Sequence, residues 1–335
     1  MATYHDIRRE TGLSLATISK YFNGGNVLDA NARAIADAAK RLDFQPNNFA
    51  RNLRSRRTRS VGVLLPNLSS DFYLSILAGM ERRLRARGVT MLICADHAGE
   101  GETEDAVDFL RGRMVDGIIT IPSTRALPGL RRAADRGIPV VAIDWPAQGV
   151  VSDAVIIDNE EAAALAVQRL VDRGHRRIAF IGNSSTWTLR ARERGARRQL
   201  ARRQVSLNED FIISTNLSVE GGRSAMQKLL LLKERPTAVI CATDATGVGA
   251  LTALAESGLR VPDDMSFVGF DMRRLARMTD PALDTVSQRV DDLARAATDL
   301  MLMRLDPDAP SLPPQTVVLH AEYVAGGSVA SLRRS

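Results

Sequence analysis

Several polar side chains stand at the ends of predicted β-strands, where together they could bind one small molecule. Each follows a short β-branched run, and in open α/β sheets ligands bind beyond the carboxyl ends of the strands. Carboxylates, amides and hydroxyls there accept or donate hydrogen bonds, so the predicted chemistry is recognition of a polar ligand. Helix capping is the simpler explanation for any one of them taken alone. The six residues are Asn67, Asp96, Asp144, Asn183, Thr243 and Asp271.

A second group of residues, in the segment TGLSLATISKYFNGG (11–25), has the spacing of a DNA-reading helix. Gly12 suits a tight turn with positive φ, and the Ser14 hydroxyl can cap the helix that follows. Ile18 and Phe22 face inward, which leaves another face of the helix free. In a helix-turn-helix the second helix enters the major groove with such a face. The DNA-binding residues predicted here are Leu15, Ala16, Thr17, Ser19, Lys20 and Asn23.

The positive charge of the chain is concentrated in the same region. Residues 1–60 contain 11 Lys or Arg and 5 Asp or Glu, out of 45 and 39 in the whole chain, so the remaining residues are neutral as a block. A basic segment on a neutral body is typical of a module that binds nucleic acid. Leu15 and Ala16 would then touch base edges or thymine methyls, and Lys20 would donate to guanine.

The rest of the composition argues against several other classes of protein. No apolar run approaches the roughly 18 residues that cross a bilayer, and the amino terminus has no apolar signal core. Cys94 and Cys241 are isolated, which indicates a reduced, cytoplasmic protein. The four histidines are scattered without metal-ligand spacing, so neither a metal nor a cofactor is expected.

Two other functions are compatible with an α/β architecture. An enzyme is the first, but the segment GVGALT (247–252) lacks the third glycine of a dinucleotide-binding loop, and no nucleophile elbow is present. A secreted sugar-binding protein is the second. It would have a signal peptide and would lack the basic amino-terminal segment, so a DNA-binding regulator explains the sequence better.

The hydrophobic periodicity predicts two kinds of structure along the chain. Residues 3–44 favour three short helices, whereas from residue 60 apolar strands alternate with helices, which is typical of parallel sheets covered on both faces. The strands are too many for one sheet, so we expect two doubly wound α/β lobes with residues 155–164 crossing between them. The predicted strands are 60–67, 89–96, 117–122, 139–144, 177–183, 210–215, 237–243 and 265–271, with later pieces at 284–288 and 316–326.

Three segments together resemble the LacI/GalR family of bacterial transcription regulators: DIRRETGLSLATISKYFNGG, FQPNNFARNLRSRRTRSVGVLLPN and VDGIITIP. The resemblance covers essentially the whole chain. It implies an all-α helix-turn-helix headpiece at 1–45, a hinge helix and linker at 46–59, and a two-lobed, periplasmic-binding-protein-like α/β body at 60–335. The N-lobe would comprise about 60–157 and 289–318, and the C-lobe about 158–288 and 319–335. Asp43 stands where the family usually has the glycine that ends the third helix.

The resemblance also implies a second DNA contact and a homodimer. The hinge would become helical when two subunits meet over DNA, with Leu53 wedged into the minor groove and with Asn47 and Arg51 at the backbone or groove edges. A linker with Leu53 packed on the body is the alternative. The implied partners are a pseudo-palindromic duplex operator and a second copy of the chain. No leucine heptads follow the last strand, so we expect a dimer and not a dimer of dimers.

Carried over from the family, the effector site would combine strand-end and helix residues. An arginine that donates to hydroxyls, opposite an aspartate that accepts from them, suits a sugar, which is our first expectation. Arg190 and Arg194 compete with Arg192 for that role, and an aromatic stack could come from Trp145 or Trp187. An anionic sugar derivative, a nucleoside or another metabolite are the alternatives. The implied effector-binding residues are Ser69, Phe72, Asp144, Arg192, Thr243, Asp271 and Gln288.

Overall fold

The structure, a computed structural model, describes residues 2–22, 25–44, 58–68, 70–96, 105–182 and 186–332. The chain divides into two compact units, residues 1–58 and 59–335. Among the described residues, no helix is long and apolar enough to cross a membrane. The helices described in the first unit are α1 (Tyr4–Thr11), α2 (Leu15–Phe22) and α3 (Asp29–Arg41), as the sequence predicted.

The first unit folds around a small apolar core to which each of these helices contributes. Gly12 ends α1 with a φ of 69°, so the turn before α2 uses the backbone freedom of glycine. The Ser14 hydroxyl accepts a hydrogen bond from the Thr17 N–H at 3.1 Å, so it caps α2 as expected. Tyr4 stacks on Phe22 with ring centroids 5.5 Å apart. The fully buried isoleucines are Ile7, Ile18 and Ile35.

Asp43, just after α3, holds a backbone conformation that favours glycine. Its φ is 46°, in the left-handed region where a Cβ atom meets the carbonyl that follows. We therefore expect Asp43→Gly to raise the free energy of unfolding of the first unit by about 0.5 to 1 kcal/mol. Calorimetry on the full chain measures this as a higher melting temperature of the headpiece transition. Asp43→Asn keeps a Cβ atom and is the matched control, and a lower melting temperature for Asp43→Gly would contradict the expectation.

The second unit contains two six-stranded sheets with helices packed against them. The strands of the first sheet are β1 (Ser60–Leu65), β2 (Thr90–Ala95), β3 (Gly117–Thr120), β4 (Val140–Asp144), β5 (Asp153–Ile157) and β11 (Thr316–Leu319). Those of the second sheet are β6 (Ile178–Gly182), β7 (Ile212–Ser214), β8 (Ala238–Cys241), β9 (Ser266–Phe270), β10 (Asp284–Ser287) and β12 (Glu322–Val324). The helices are α4 (Asp71–Ala86), α5 (Ala106–Gly112), α6 (Leu127–Asp135), α7 (Asn159–Asp172), α8 (Trp187–Arg202), α9 (Val219–Leu230), α10 (Asp244–Glu256), α11 (Arg273–Ala276) and α12 (Val290–Leu305).

The strand orders are those of two doubly wound sheets. The first sheet runs β11-β5-β4-β3-β1-β2 with every pair parallel, and the second runs β12-β10-β9-β8-β6-β7. The carboxyl ends of parallel neighbours lie along one edge of a sheet, which is where the polar strand-end residues were predicted to gather. The chain passes between the sheets three times, after β5, β10 and β11. These crossings join the two sheets into one compact unit.

Three sequence predictions need correction at the level of single strands. Residues 153–157 form the strand β5, although 155–164 was predicted as a crossing, and the crossing proper begins with α7. The piece predicted at 316–326 is two strands that belong to different sheets. The second of them, β12, pairs antiparallel with β10, so the second sheet is not purely parallel. Hydrophobic pattern alone cannot assign a strand to one of two sheets, because both sheets bury apolar side chains in the same way.

Candidate functional site

The predicted DNA-reading face lies on α2 in the first unit. Ala16 and Lys20 are exposed, and Leu15 is half-buried beside them. The half-buried Thr17 is hydrogen-bonded to Ser14 at 2.9 Å through its hydroxyl, so part of its polar capacity is used inside the helix cap. Ser19 is also half-buried and has an interaction within the protein. Five other predicted site residues lie outside the described residues: Asn23, Asn47, Arg51, Leu53 and Ser69.

A cavity of about 570 Å³ lies in the second unit at the strand ends. Residues of both sheets contribute to its wall. Of the six strand-end residues, Asn67, Asp144, Thr243 and Asp271 line it, Asp96 does not, and Asn183 lies outside the described residues. All the described residues that the family resemblance implied for an effector are brought together in its wall: Phe72, Asp144, Arg192, Thr243, Asp271 and Gln288.

Arg192 is the buried cation of this cavity, and the structure commits most of its donors to the protein. It is 3% exposed on α8, where its Nε donates to Asn159 Oδ1 at 2.8 Å and its Nη1 to the Ala242 carbonyl at 2.6 Å. Its Nη2 lies 3.6 Å from Asp271 Oδ2, and its guanidinium carbon lies 4.2 Å from the centre of the Phe270 ring. The guanidinium therefore links α7 to the ends of β8 and β9 and fixes their spacing around the cavity.

The two competing arginines occupy different places. Arg190 is exposed at the cavity wall, two residues before Arg192 on α8. Arg194 pairs with Glu160 at 3.1 Å and is not among the residues that line the cavity. Both tryptophans proposed as stacking surfaces, Trp145 and Trp187, line the cavity.

Asp271 and Gln288 form a hydrogen-bonded pair opposite Arg192. The main-chain N–H of Gln288 donates to Asp271 Oδ1 at 3.0 Å, and its Nε2 donates to Oδ2 at 2.8 Å. Gln288 is 2% exposed, and its Oε1 has no hydrogen-bond partner among the described residues. Asp271 has a φ of 59°, a strained conformation for a residue with a Cβ atom. The pair presents a buried acceptor that a ligand can satisfy.

Asp144 supplies a second buried acceptor from the other sheet. It ends β4 with a φ of 72°, and its Oδ2 accepts a hydrogen bond from the Thr188 hydroxyl of α8 at 3.1 Å. Within the described part of the chain, its Oδ1 is buried without a partner. Burial raises the pKa of this carboxyl and Asp271 raises it further, while Arg192 and the Thr188 hydrogen bond lower it. A donor on a ligand would stabilise the ionised form.

Two more titratable groups belong to the same wall. Burial raises the pKa of Tyr73, and the nearby Asp144 and Asp244 carboxylates raise it further. Burial also raises the pKa of Asp244. Thr243, next to Asp244, caps α10 because its hydroxyl accepts from the Thr246 N–H at 3.2 Å. Thr243 thus fulfils the simpler role that the sequence offered, at a position that also lines the cavity.

Sequence reasoning did not identify four residues of this site: Tyr73, Asn159, Thr188 and Asp244. Tyr73 and Asp244 are direct neighbours of predicted residues, so the strand-end rule could have included them if it had been extended by one position. Asn159 and Thr188 lie on helices and have no such signal. Their roles depend on which side chains face them from other elements.

Comparisons with known proteins agree with this architecture. The family described as "Periplasmic binding protein-like domain" matches residues 167–329. The HTH-type transcriptional repressor PurR of Yersinia enterocolitica is 33% identical over 98% of this chain and 97% of that protein. The lac repressor dimer bound to operator and the anti-inducer ONPF has a TM-score of 0.85 at 25% identity, over 98% of this chain and 99% of that one.

A further solved structure, the transcriptional regulator CelR in complex with cellobiose, has a TM-score of 0.73 at 27% identity and covers 98% of this chain and 100% of that one. These likenesses extend over both units, so they include the helix-turn-helix as well as the two-sheet body. They also set the enzyme alternative aside, because the similar proteins are regulators. The chain belongs to the LacI/GalR family of transcriptional regulators, DNA-binding proteins that respond to small-molecule effectors.

Proposed function

We propose that this regulator is a homodimeric repressor of a pseudo-palindromic operator, and that its effector is a neutral, hydroxyl-rich compound of the sugar class. The name of the Yersinia relative and the operator-bound dimer of the lac repressor support repression and dimerisation. A dimer is also physically reasonable, because one three-helix headpiece offers few base contacts and two half-sites double them.

On DNA, the α2 face reads the major groove. Leu15 and Ala16 meet base edges, Lys20 donates to guanine, and Thr17 and Ser19 stand near phosphates or bases. Asn23 continues this face beyond the described part of α2. In the hinge, Leu53 enters the minor groove as a wedge, and Asn47 and Arg51 hold its edges.

The class of effector is argued from the unsatisfied acceptors of the cavity. Asp144 Oδ1 and Gln288 Oε1 are both buried, and among the described residues neither has a partner. Leaving such atoms unpaired costs roughly 1 to 3 kcal/mol each, so a ligand that donates to them is favoured. Arg192 has little donor capacity left for an anion, because Asn159 and the Ala242 carbonyl already take two of its N–H groups. Sugar hydroxyls meet these requirements, and the similar regulator CelR holds cellobiose.

The same contacts suggest how the effector acts on DNA binding. The Thr188–Asp144 hydrogen bond joins α8, which packs in the second-sheet half, to the end of β4 in the first sheet. An effector that donates to Asp144 changes how strongly the two halves are held together. Coupling of this kind typically alters operator affinity by about 1 to 3 kcal/mol.

A thermal-shift panel on the full chain tests the effector class. The panel contains neutral sugars, sugar acids, sugar phosphates and nucleosides. A true effector at about 100 times its Kd should stabilise the body by about 2.7 kcal/mol and should also change operator affinity. We expect the hit among the neutral sugars. Stabilisation by sugar acids or sugar phosphates alone would contradict the neutral class, and a nucleoside hit would favour the second alternative.

Variants locate the hit within the chain. Gln288→Leu removes the unpaired acceptor and should weaken the hit by about 1 to 3 kcal/mol. Arg194→Gln is the matched control, because Arg194 lies on α8 outside the cavity wall and should leave the affinity unchanged.

A further inference from the structure

Four exposed arginines precede four neighbouring strands of the first sheet, at the edge opposite the cavity. Arg59 precedes β1, Arg87 precedes β2, Arg113 precedes β3 and Arg136 precedes β4. The strands are parallel and adjacent in the order β4-β3-β1-β2, so their amino ends follow one another along one edge. Three strand spacings of about 4.8 Å give a row of about 14 Å. These four residues are called the arginine row below.

Helix capping accounts for part of this pattern. Arg87, Arg113 and Arg136 are the C-cap residues of α4, α5 and α6, where a cation interacts favourably with the helix dipole. The second-sheet half has arginines at the same position, Arg173 after α7 and Arg203 after α8. The dipole therefore explains where these arginines occur in both halves of the body.

The arginines of the two halves differ in their partners. In the second-sheet half, Arg173 donates to Ser331 Oγ at 2.8 Å and Arg203 donates to Asp172 Oδ1 at 2.5 Å. In the arginine row, the guanidinium of Arg113 lies over the Phe109 ring at 4.9 Å. Within the described ranges, no carboxylate lies within 4.0 Å of a guanidinium nitrogen of the row. The row is a line of positive charge without counter-ions among those residues.

The chain enters the body at the same edge. Arg59 directly follows the DNA-binding unit, residues 1–58, and its main-chain N–H donates to Asp116 Oδ2 at 2.6 Å, which fixes the entry point next to β3. The linker from residue 45 to this anchor spans at most roughly 50 Å when fully extended. Any duplex held by the first unit is therefore tethered to this edge of the body and not to the edge with the cavity.

We propose that the arginine row binds the phosphate backbone of the duplex that the headpiece holds. Duplex DNA carries about one negative charge per 1.7 Å of its axis, and the guanidinium fork matches phosphate oxygens. Contacts from this edge carry no base readout, so they add the same affinity to every sequence. The body thereby acts as a second, sequence-independent DNA-binding surface.

The salt dependence of binding to a mixed-sequence duplex of about 40 base pairs tests the proposal without knowledge of the operator. The variant is the full chain with Arg87→Gln, Arg113→Gln and Arg136→Gln. We expect its affinity at about 100 mM salt to fall about tenfold, and the log–log slope between about 50 and 200 mM salt to become shallower by about 2 to 3. Circular dichroism melting checks that the variant is folded.

The matched control carries Arg173→Gln, Arg202→Gln and Arg203→Gln in the second-sheet half, which removes the same charge from helix ends. It should keep the slope of the parent. An unchanged slope in the arginine-row variant, or an equal change in the control, would overturn the proposal. Failure of the parent to bind the duplex at all would instead contradict the DNA-binding function assigned to the family.

Discussion

Arg192→Ala should lower the free energy of unfolding of the body by about 3 to 5 kcal/mol. The substitution leaves Asp271, whose side chain is 12% exposed, without the cation that faces it at 3.6 Å. It also removes the donors to Asn159 and to the Ala242 carbonyl and opens space against the Phe270 ring. Loss of one member of a buried charged network costs more than its contacts alone, because the remaining polar groups stay desolvated.

Urea denaturation followed by circular dichroism measures this loss on the full chain. Arg194→Ala is the control, because its ion pair with Glu160 is exposed and is expected to contribute less than about 1 kcal/mol. Arg192→Lys keeps the charge but cannot bridge the acceptors with a planar fork, so its stability should lie between those of Arg192→Ala and the parent. Equal urea midpoints for Arg192→Ala and the parent would show that the network does not stabilise the body.

The same variants report on the effector. If enough folded Arg192→Lys remains, its operator affinity should stop responding to effector concentrations that saturate the parent, because coupling between the two sites is reciprocal. Operator affinity without effector should persist, since α2 belongs to the other unit.

Asp144→Asn should stabilise the body at neutral and alkaline pH while it weakens effector binding. The carboxyl is buried with one oxygen unpaired among the described residues, and burial, the largest influence, raises its pKa above the ordinary value of 3.8. The folded state therefore binds the proton more tightly than the unfolded state does. The free energy of unfolding of the parent falls as the pH rises through the pKa of the folded carboxyl, and a neutral amide does not share this loss.

Thermal unfolding of the parent and Asp144→Asn at several pH values measures the effect. The stability advantage of the variant should grow with pH to about 1 to 3 kcal/mol, the usual cost of an unsatisfied buried polar group, and shrink towards acid. Asparagine also tolerates the positive φ at this position, so the substitution adds no backbone strain. Effector affinity should fall about tenfold, because hydrogen bonds to a charged acceptor are stronger than those to a neutral one.

Asp96→Asn provides the control at another strand end of the first sheet. The Asp96 carboxylate accepts a hydrogen bond from Ser123 and lies 3.9 Å from Arg125 Nε, so its negative charge is compensated. This variant should be no more stable than its parent at any of these pH values. A pH-independent difference between Asp144→Asn and the parent would show that the Asp144 carboxyl is not a source of this destabilisation.

Much of the fold and of the candidate site follows from local sequence patterns. The helices of the first unit, the turn at Gly12 and the cap at Ser14 depend on neighbouring residues only, so the sequence predicts them directly. The strand-end positions of Asp144, Thr243 and Asp271 follow equally from short apolar runs. Parallel topology then places such residues at one edge, which is why a cavity at the strand ends could be predicted.

Other features depend on contacts between distant segments, and only the tertiary structure decided them. The strand β5 and the division of residues 316–326 between two sheets require knowledge of which strands become neighbours. The choice among three arginines on α8 depends on the Asn159 side chain and the Ala242 carbonyl, which lie 33 and 50 residues away in sequence from Arg192. The unpaired oxygens of Asp144 and Gln288 are likewise invisible in sequence. Residue type fixes how many hydrogen bonds a side chain can make, but long-range packing determines how many of them are made inside the protein and how many are left for a ligand.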